Sequence, residues 1–139
     1  MGPEWVSGFM TSCVCGSKKD YSLCCEPLLK GETQAKTIRQ LVRSRYAAYA
    51  LGDHAEYLRQ TWHPATAESI RAAELNTGAF TWQGLEIIGH EQKGDFGQVE
   101  FIASYEDTEG MAHKHHEISL FRRAKGKWYY LSGKVLNPD

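Results

Sequence analysis

From Thr37 onward, apolar residues recur at helical intervals. Ile38, Leu41, Val42, Tyr46 and Tyr49 fall three or four positions apart and predict a helix that stops at Gly52. Thr37 with Gln40 three residues on has the form of a capping box, which satisfies backbone N–H groups left open at a first turn. Asp53 with Glu56 repeats that spacing and predicts a second helix through Leu58 to Trp62, ended by Pro64. A third, shorter helix is expected over Thr66 to Asn76, rich in Ala and closed by the Asn76 to Gly78 turn.

At Phe80 the pattern changes. β-Branched and aromatic residues dominate runs near Phe80 to His90, Gln98 to Glu106, Met111 to Arg123 and Lys127 to Val135. Their separators, Lys93-Gly94-Asp95, Asp107 to Gly110 and Lys125-Gly126, are the residues that tight hairpin turns require. Helices followed by a meander of strands predict an α+β fold, with about three helices packed on one face of a curved antiparallel sheet of about four strands. The chain then divides into an N-terminal extension over residues 1–12, a cysteine module over 13–30 and the α+β domain over 31–139. Met1 to Phe9, with Gly, Pro and lone aromatics ahead of Met10, reads as an appended or frayed tail.

Composition agrees with one ordinary domain plus a small module: 139 residues, 42% hydrophobic and 12% aromatic, enough for a real core. A formal charge of -1 argues against a surface built wholly for nucleic acid or acidic membrane, and leaves room for a local basic patch. No apolar run approaches the roughly 18 to 20 residues that span a bilayer, and no secretion signal opens the sequence. A soluble cytosolic protein without membrane contact is expected.

All four cysteines lie in Cys13-Val-Cys15-Gly-Ser-Lys-Lys-Asp-Tyr-Ser-Leu-Cys24-Cys25. Two pairs separated by eight residues let a short loop fold back and bring four sulfurs together. In a reducing cytosol such thiols favour metal over disulfides. Four thiolates satisfy Zn²⁺ tetrahedrally and leave no open position, so Cys13, Cys15, Cys24 and Cys25 predict a closed, structural zinc site; iron fits the same ligands. Metal also explains how so short a module could be ordered. Gly16 allows the tight turn after Cys15, and Lys18 and Lys19 place positive charge beside the site, a candidate contact for an anion or a partner.

Cys13, Cys15, Gly16, Ser17, Tyr21, Cys24 and Cys25 resemble the SEC-C motif, the small zinc-binding element found at the C-terminus of the SecA translocation ATPase and in many bacterial proteins. In SecA that element is associated with docking to a chaperone and to ribosomes, so the resemblance implies a contact module. Arg43-Ser44-Arg45-Tyr46, Thr61-Trp62-His63-Pro64, Phe101-Ile102-Ala103 and Gly126-Lys127-Trp128-Tyr129-Tyr130 are similar, in order and interval, to the bacterial YchJ family of uncharacterised proteins. That resemblance implies a nuclear-transport-factor-2-like cone of helices against a curved sheet. Members often carry a second SEC-C motif at the C-terminus; this sequence stops at Asn137-Pro138-Asp139, which counts against a function needing two motifs.

Polar residues at core positions supply the remaining candidates. With Ile38 at zero and 100° per residue, Leu41 lies at about 300°, Val42 at about 40° and Tyr49 at about 20°, and Arg45 at about 340° is in the middle of the apolar stripe. A guanidinium there needs a partner. It is read as a structural ion pair with Glu117 or as an anion-binding group lining the cone. His113, His115 and Glu117 share a strand face, but the histidines lie close to a turn and read first as a solvated edge. His63, held extended before Pro64, is either a packed core histidine or a general base without an identifiable nucleophile. Three functional readings follow. The preferred one is a zinc-containing adaptor for a protein or ribosome-associated partner. The others are an enzyme or small-molecule carrier using Arg45, His63 and Glu117, and a nucleic-acid contact through Lys18, Lys19 and neighbouring basic residues.

Overall fold

Four strands, β1 (Thr81–Lys93), β2 (Phe96–Glu106), β3 (Ala112–Ala124) and β4 (Lys127–Val135), form one antiparallel meander in the order β1-β2-β3-β4. This is a computed structural model, and it describes residues 11–67 and 80–136. The turns use the residues that hairpins demand. Lys125 and Gly126 both take positive φ, 52° and 81°, the geometry of a two-residue turn whose twist matches its strands. Register shifts between Trp82 and Gly84, between Ile87 and Gly89, and at Leu120/Phe121 are the irregularities that bend a sheet.

The concave face carries Val99, Phe101 and Ala103 of β2, Glu117, Ser119 and Phe121 of β3, and Trp128 and Tyr130 of β4. Helix α2 (Ile38–Leu51) follows the short α1 (Glu26–Leu29) and lies across this face, its Ile38, Leu41 and Val42 packing with Val99, Phe121 and Trp128. Helix α3 (Ala55–Gln60) inserts Leu58 beside Ala48. A four-residue helix, α4 (Pro64–Ala67), follows. Among the described residues, no helix is long and apolar enough to cross a membrane.

The predicted first helix begins and ends where its caps place it, with a change of detail. Thr37 Oγ1 accepts from Gln40 N at 3.1 Å, while Gln40 Oε1 accepts from Lys36 N at 2.7 Å, one residue outside the usual reciprocal box. The second helix departs further from expectation. Asp53 takes φ 63° and His54 occupies the N-cap without a side-chain hydrogen bond, so Asp53 with Glu56 does not cap it. It ends at Gln60, and Pro64 opens α4 instead of terminating α3, consistent with the tolerance of a first helical turn for Pro. The third predicted helix lies mostly outside the described residues, as do Met1 to Phe9.

Thr37→Ala removes the side-chain acceptor at the start of α2. It is expected to destabilise the protein by about 1 kcal/mol, read as a lower Tm and a lower denaturant midpoint with unchanged m.

Candidate functional site

Two constellations stand out. The first is built by the chain folding back on itself: Ser12 and Asp20 form an antiparallel bridge, Cys13 N donates to Lys19 O at 2.8 Å, and Tyr21 N donates to Thr11 O at 2.8 Å. Gly16, at φ 82°, turns the chain after Cys15. A single 3₁₀ turn over Tyr21–Leu23, capped by Asp20 through Ser22 N at 3.2 Å, then delivers Cys24, and Cys25 caps α1. The four Sγ atoms lie within 4.8 Å of one another. A tetrahedron with metal–sulfur bonds of about 2.3 Å has sulfurs roughly 3.8 Å apart. Cys15 to Cys24 measures 3.6 Å and Cys24 to Cys25 4.0 Å, with no disulfide among them. This donor set fits a metal ion.

Donation from Cys13 and Cys25 pulls Cys15 far below the ordinary thiol range, while the same hydrogen bonding to Cys15 pushes Cys13 up to about 11. Cys25 is raised further, chiefly by its hydrogen bonds to Cys13 and Cys15. A divalent cation relieves that crowding by accepting all four as thiolates.

The knuckle is not an outlying bead. Cys13, Cys15 and Cys25 are buried against Tyr46 and Ala47 of α2 and Ala103 of β2. Arg43 reaches from α2 to donate from Nη1 to Cys15 O at 2.6 Å. A Cβ on Gly16 would sit 3.4 Å from Leu85 O of β1. Lys18 and Lys19 stay exposed on the outer turn, as does Leu23 at 78%.

The second constellation is a cavity of about 290 Å³ inside the cone, beneath α2. Arg45 and Glu117 both line it, and both are buried, 6% and 8% exposed. They do not form the ion pair that the helical pattern suggested. Arg45 Nη1 instead donates to Leu58 O and to Thr61 Oγ1, each at 2.7 Å, and its guanidinium lies over the rings of Trp62 (5.1 Å) and Tyr130 (4.6 Å). Burial pulls its pKa below the usual arginine value, with nearby tyrosines opposing. Glu117 accepts from His115 Nε2 at 2.6 Å, Ser119 Oγ at 2.5 Å and Tyr130 OH at 3.1 Å. Burial by itself would raise this carboxyl, but the hydrogen bonds from His115, Ser119 and Tyr130 and the charge of His115 outweigh it, and the pKa falls. Tyr130 moves the other way, raised by burial and then by the Glu117 charge.

His63 is elsewhere: its N–H donates to Tyr130 O at 2.7 Å, its Nδ1 accepts from Ala65 N at 3.0 Å, and its ring packs edge-on to Tyr129. It does not line the cavity. His113 bonds Asp107 at the β2–β3 turn and stacks on Tyr105. His115 has the strand face that the sequence pattern gives it, but it lines the cavity and bonds Glu117 where a solvated edge was expected. β3 starts at Ala112, so His115 is well inside the strand and shares the inward parity of Glu117 and Ser119. An ionised Glu117 keeps the Nε2 proton of His115 in place and leaves Nδ1 as the remaining ring nitrogen, an arrangement capable of proton transfer. Ser119 gives its proton to Glu117, so the described cavity residues offer no serine–histidine nucleophile.

These features define an α+β cone with a cysteine knuckle, and known proteins share both. Residues 37–133 match the family described as YchJ, middle NTF2-like domain. A UPF0225 protein of Deinococcus radiodurans is 44% identical over 130 residues, covering 94% of this chain and 93% of that one. The solution structure of a SEC-C motif containing protein from Rhodopseudomonas palustris superposes with a TM-score of 0.84 at 38% identity, over 91% of this chain and 100% of that one. A crystal structure of another, from Psychrobacter arcticus, gives 0.77 at 27% identity, over 93% and 85%. This chain belongs to the YchJ (UPF0225) family.

The depressed pKa of Glu117 has a stability consequence. Its stabilisation is complete above the unfolded glutamate value of about 4.3 and is lost as pH falls below that value through the lower folded pKa. Urea unfolding between about pH 3 and pH 6 should show a steeper acid loss in wild type than in Glu117→Gln. Gly133→Ala tests the same network from β4, because a Cβ there would overlap the Glu117 carboxylate and lie 2.6 Å from Tyr130 OH. A loss of roughly 1–3 kcal/mol is expected.

Proposed function

We propose that this chain is a zinc-holding cytosolic adaptor whose knuckle docks a protein or ribosome-associated partner. The observation that carries the reading is the four-sulfur shell: its donors are all spent on holding geometry, and the turn between its cysteine pairs presents Lys18, Lys19 and Leu23 outward. A closed thiolate shell leaves no coordination position for substrate, so the metal would shape a surface and would not catalyse. Zinc suits the all-sulfur set, and likeness to SEC-C motif containing proteins supports it over iron.

A second reading comes from the cavity. The space beside Arg45 is not filled by its aromatic walls, and the His115–Glu117 pair faces it, which favours a small-molecule carrier or an enzyme acting inside the cone.

Elemental analysis of the purified protein is expected to find one zinc per chain, and chelation to lower Tm, because binding free energy at such a site is folding free energy. Affinity capture from native cytosol is expected to recover partners with wild type that the Cys24→Ser, Cys25→Ser variant loses. Identical partner sets with the main domain still folded would overturn the adaptor reading. Partners retained only at low salt and removed by nuclease would point to nucleic acid instead.

A further inference from the structure

We propose that the cavity takes a small apolar carboxylic acid of one or two rings, its carboxylate held by Arg45. This rests on the reading of the cone as a ligand cavity and names the class of ligand. The argument is an inventory of donors and acceptors. Glu117 is already well supplied with donors: Oε1 accepts from His115, and Oε2 accepts from both Ser119 and Tyr130. Its negative charge is spread over three donors and asks nothing of a ligand. Arg45 is in the opposite condition. Its hydrogen bonds to the described residues leave from Nη1 alone, and they end on a carbonyl and a hydroxyl, neither of them charged. Its flat faces meet Trp62 and Tyr130, and the neutral Tyr49 hydroxyl on the same wall lies beside it; among the described residues no carboxylate or carbonyl takes the Nε and Nη2 donors, which sit on a residue that lines the cavity.

A guanidinium nine-tenths buried, without a carboxylate in contact, is costly and is relieved by an anion that brings paired acceptor oxygens. The rest of the wall decides what that anion is attached to. Tyr46, Trp62, Trp82, Phe101 and Phe121 present rings and edges to the cavity, which suits a flat apolar body. A volume of about 290 Å³ lies at the small end of ligand sites, which run from roughly 300 to 1,000 Å³, and admits one or two fused rings. A multiply charged ligand such as a nucleotide would find one cation and a neighbouring carboxylate, too little positive charge for its phosphates.

The test compares probes of one shape and different charge on the intact, metal-loaded protein: 2-naphthoate, 2-naphthalenemethanol and 2-naphthylmethylamine. Affinities are measured by calorimetry and the site is read by ¹H–¹⁵N shifts of the Arg45 Nε–H and the Trp82 indole. The expected result is binding of the acid about tenfold or more tighter than the alcohol, with the Arg45 signal moving only for the acid and the amine weakest. Arg45→Met should reduce the acid to the affinity of the alcohol. Should that variant fail to fold, the wild-type series still decides. Acid and alcohol binding equally in the cavity would overturn the anion assignment and leave the ligand-cavity reading standing. No binding by any probe at millimolar concentration would overturn both.

Discussion

A guanidinium almost wholly withdrawn from bulk water places a strict demand on this fold. Arg45 projects from α2 into the cone, and beside Tyr49 of its own helix the groups that stabilise it come from other parts of the chain: Leu58 of α3, Thr61 just beyond it, Trp62, and Tyr130 of β4. Removing any of them exposes a buried charge to an apolar surround, which costs more than the lost contact itself. The parallel bridge between Trp62 and Tyr130, and the backbone bonds from His63 N to Tyr130 O and from Tyr130 N to Thr61 O, hold those partners in place. The cation thus adds to the backbone bridge and the apolar contacts that tie the helical layer to the last strand.

Glu117 is the counterpart on the sheet, and its position shows how two charges can be buried without touching. Three donors on β3 and β4 satisfy the carboxylate before α2 is reached, so the cone holds a separated cation and anion with space between them. A direct ion pair would have closed that space.

Much of this was legible in the sequence because it rests on local rules. The cap at Thr37, the stop at Gly52, the hairpin at Lys125-Gly126 and the convergence of Cys13, Cys15, Cys24 and Cys25 all depend on short-range spacing. Arg45 was placed inward by helical phase alone. Its actual partners were not legible, because a carbonyl on α3 and a ring on β4 become neighbours only through tertiary packing. The cap of α3 was misread for a related reason: Asp53 adopts a left-handed backbone after Gly52, so the spacing to Glu56 was present but the geometry was not. The face of His115 was legible from strand parity, but its hydrogen bond to Glu117 and its place on the cavity wall were not, because both depend on how the helices cover the sheet.

The knuckle's burial against α2 also means that the two constellations share a wall. Tyr46 packs with Cys13, Cys15 and Cys25 on one side and lines the cavity on the other, while Arg43, two positions before Arg45 on α2, is hydrogen-bonded to Cys15 O. A shift of the sulfur cluster large enough to move Tyr46 would therefore reshape the cavity. If an ion in the cluster altered the affinity of the cavity for a ligand through that ring, the ligand would alter the affinity for the ion by the same factor.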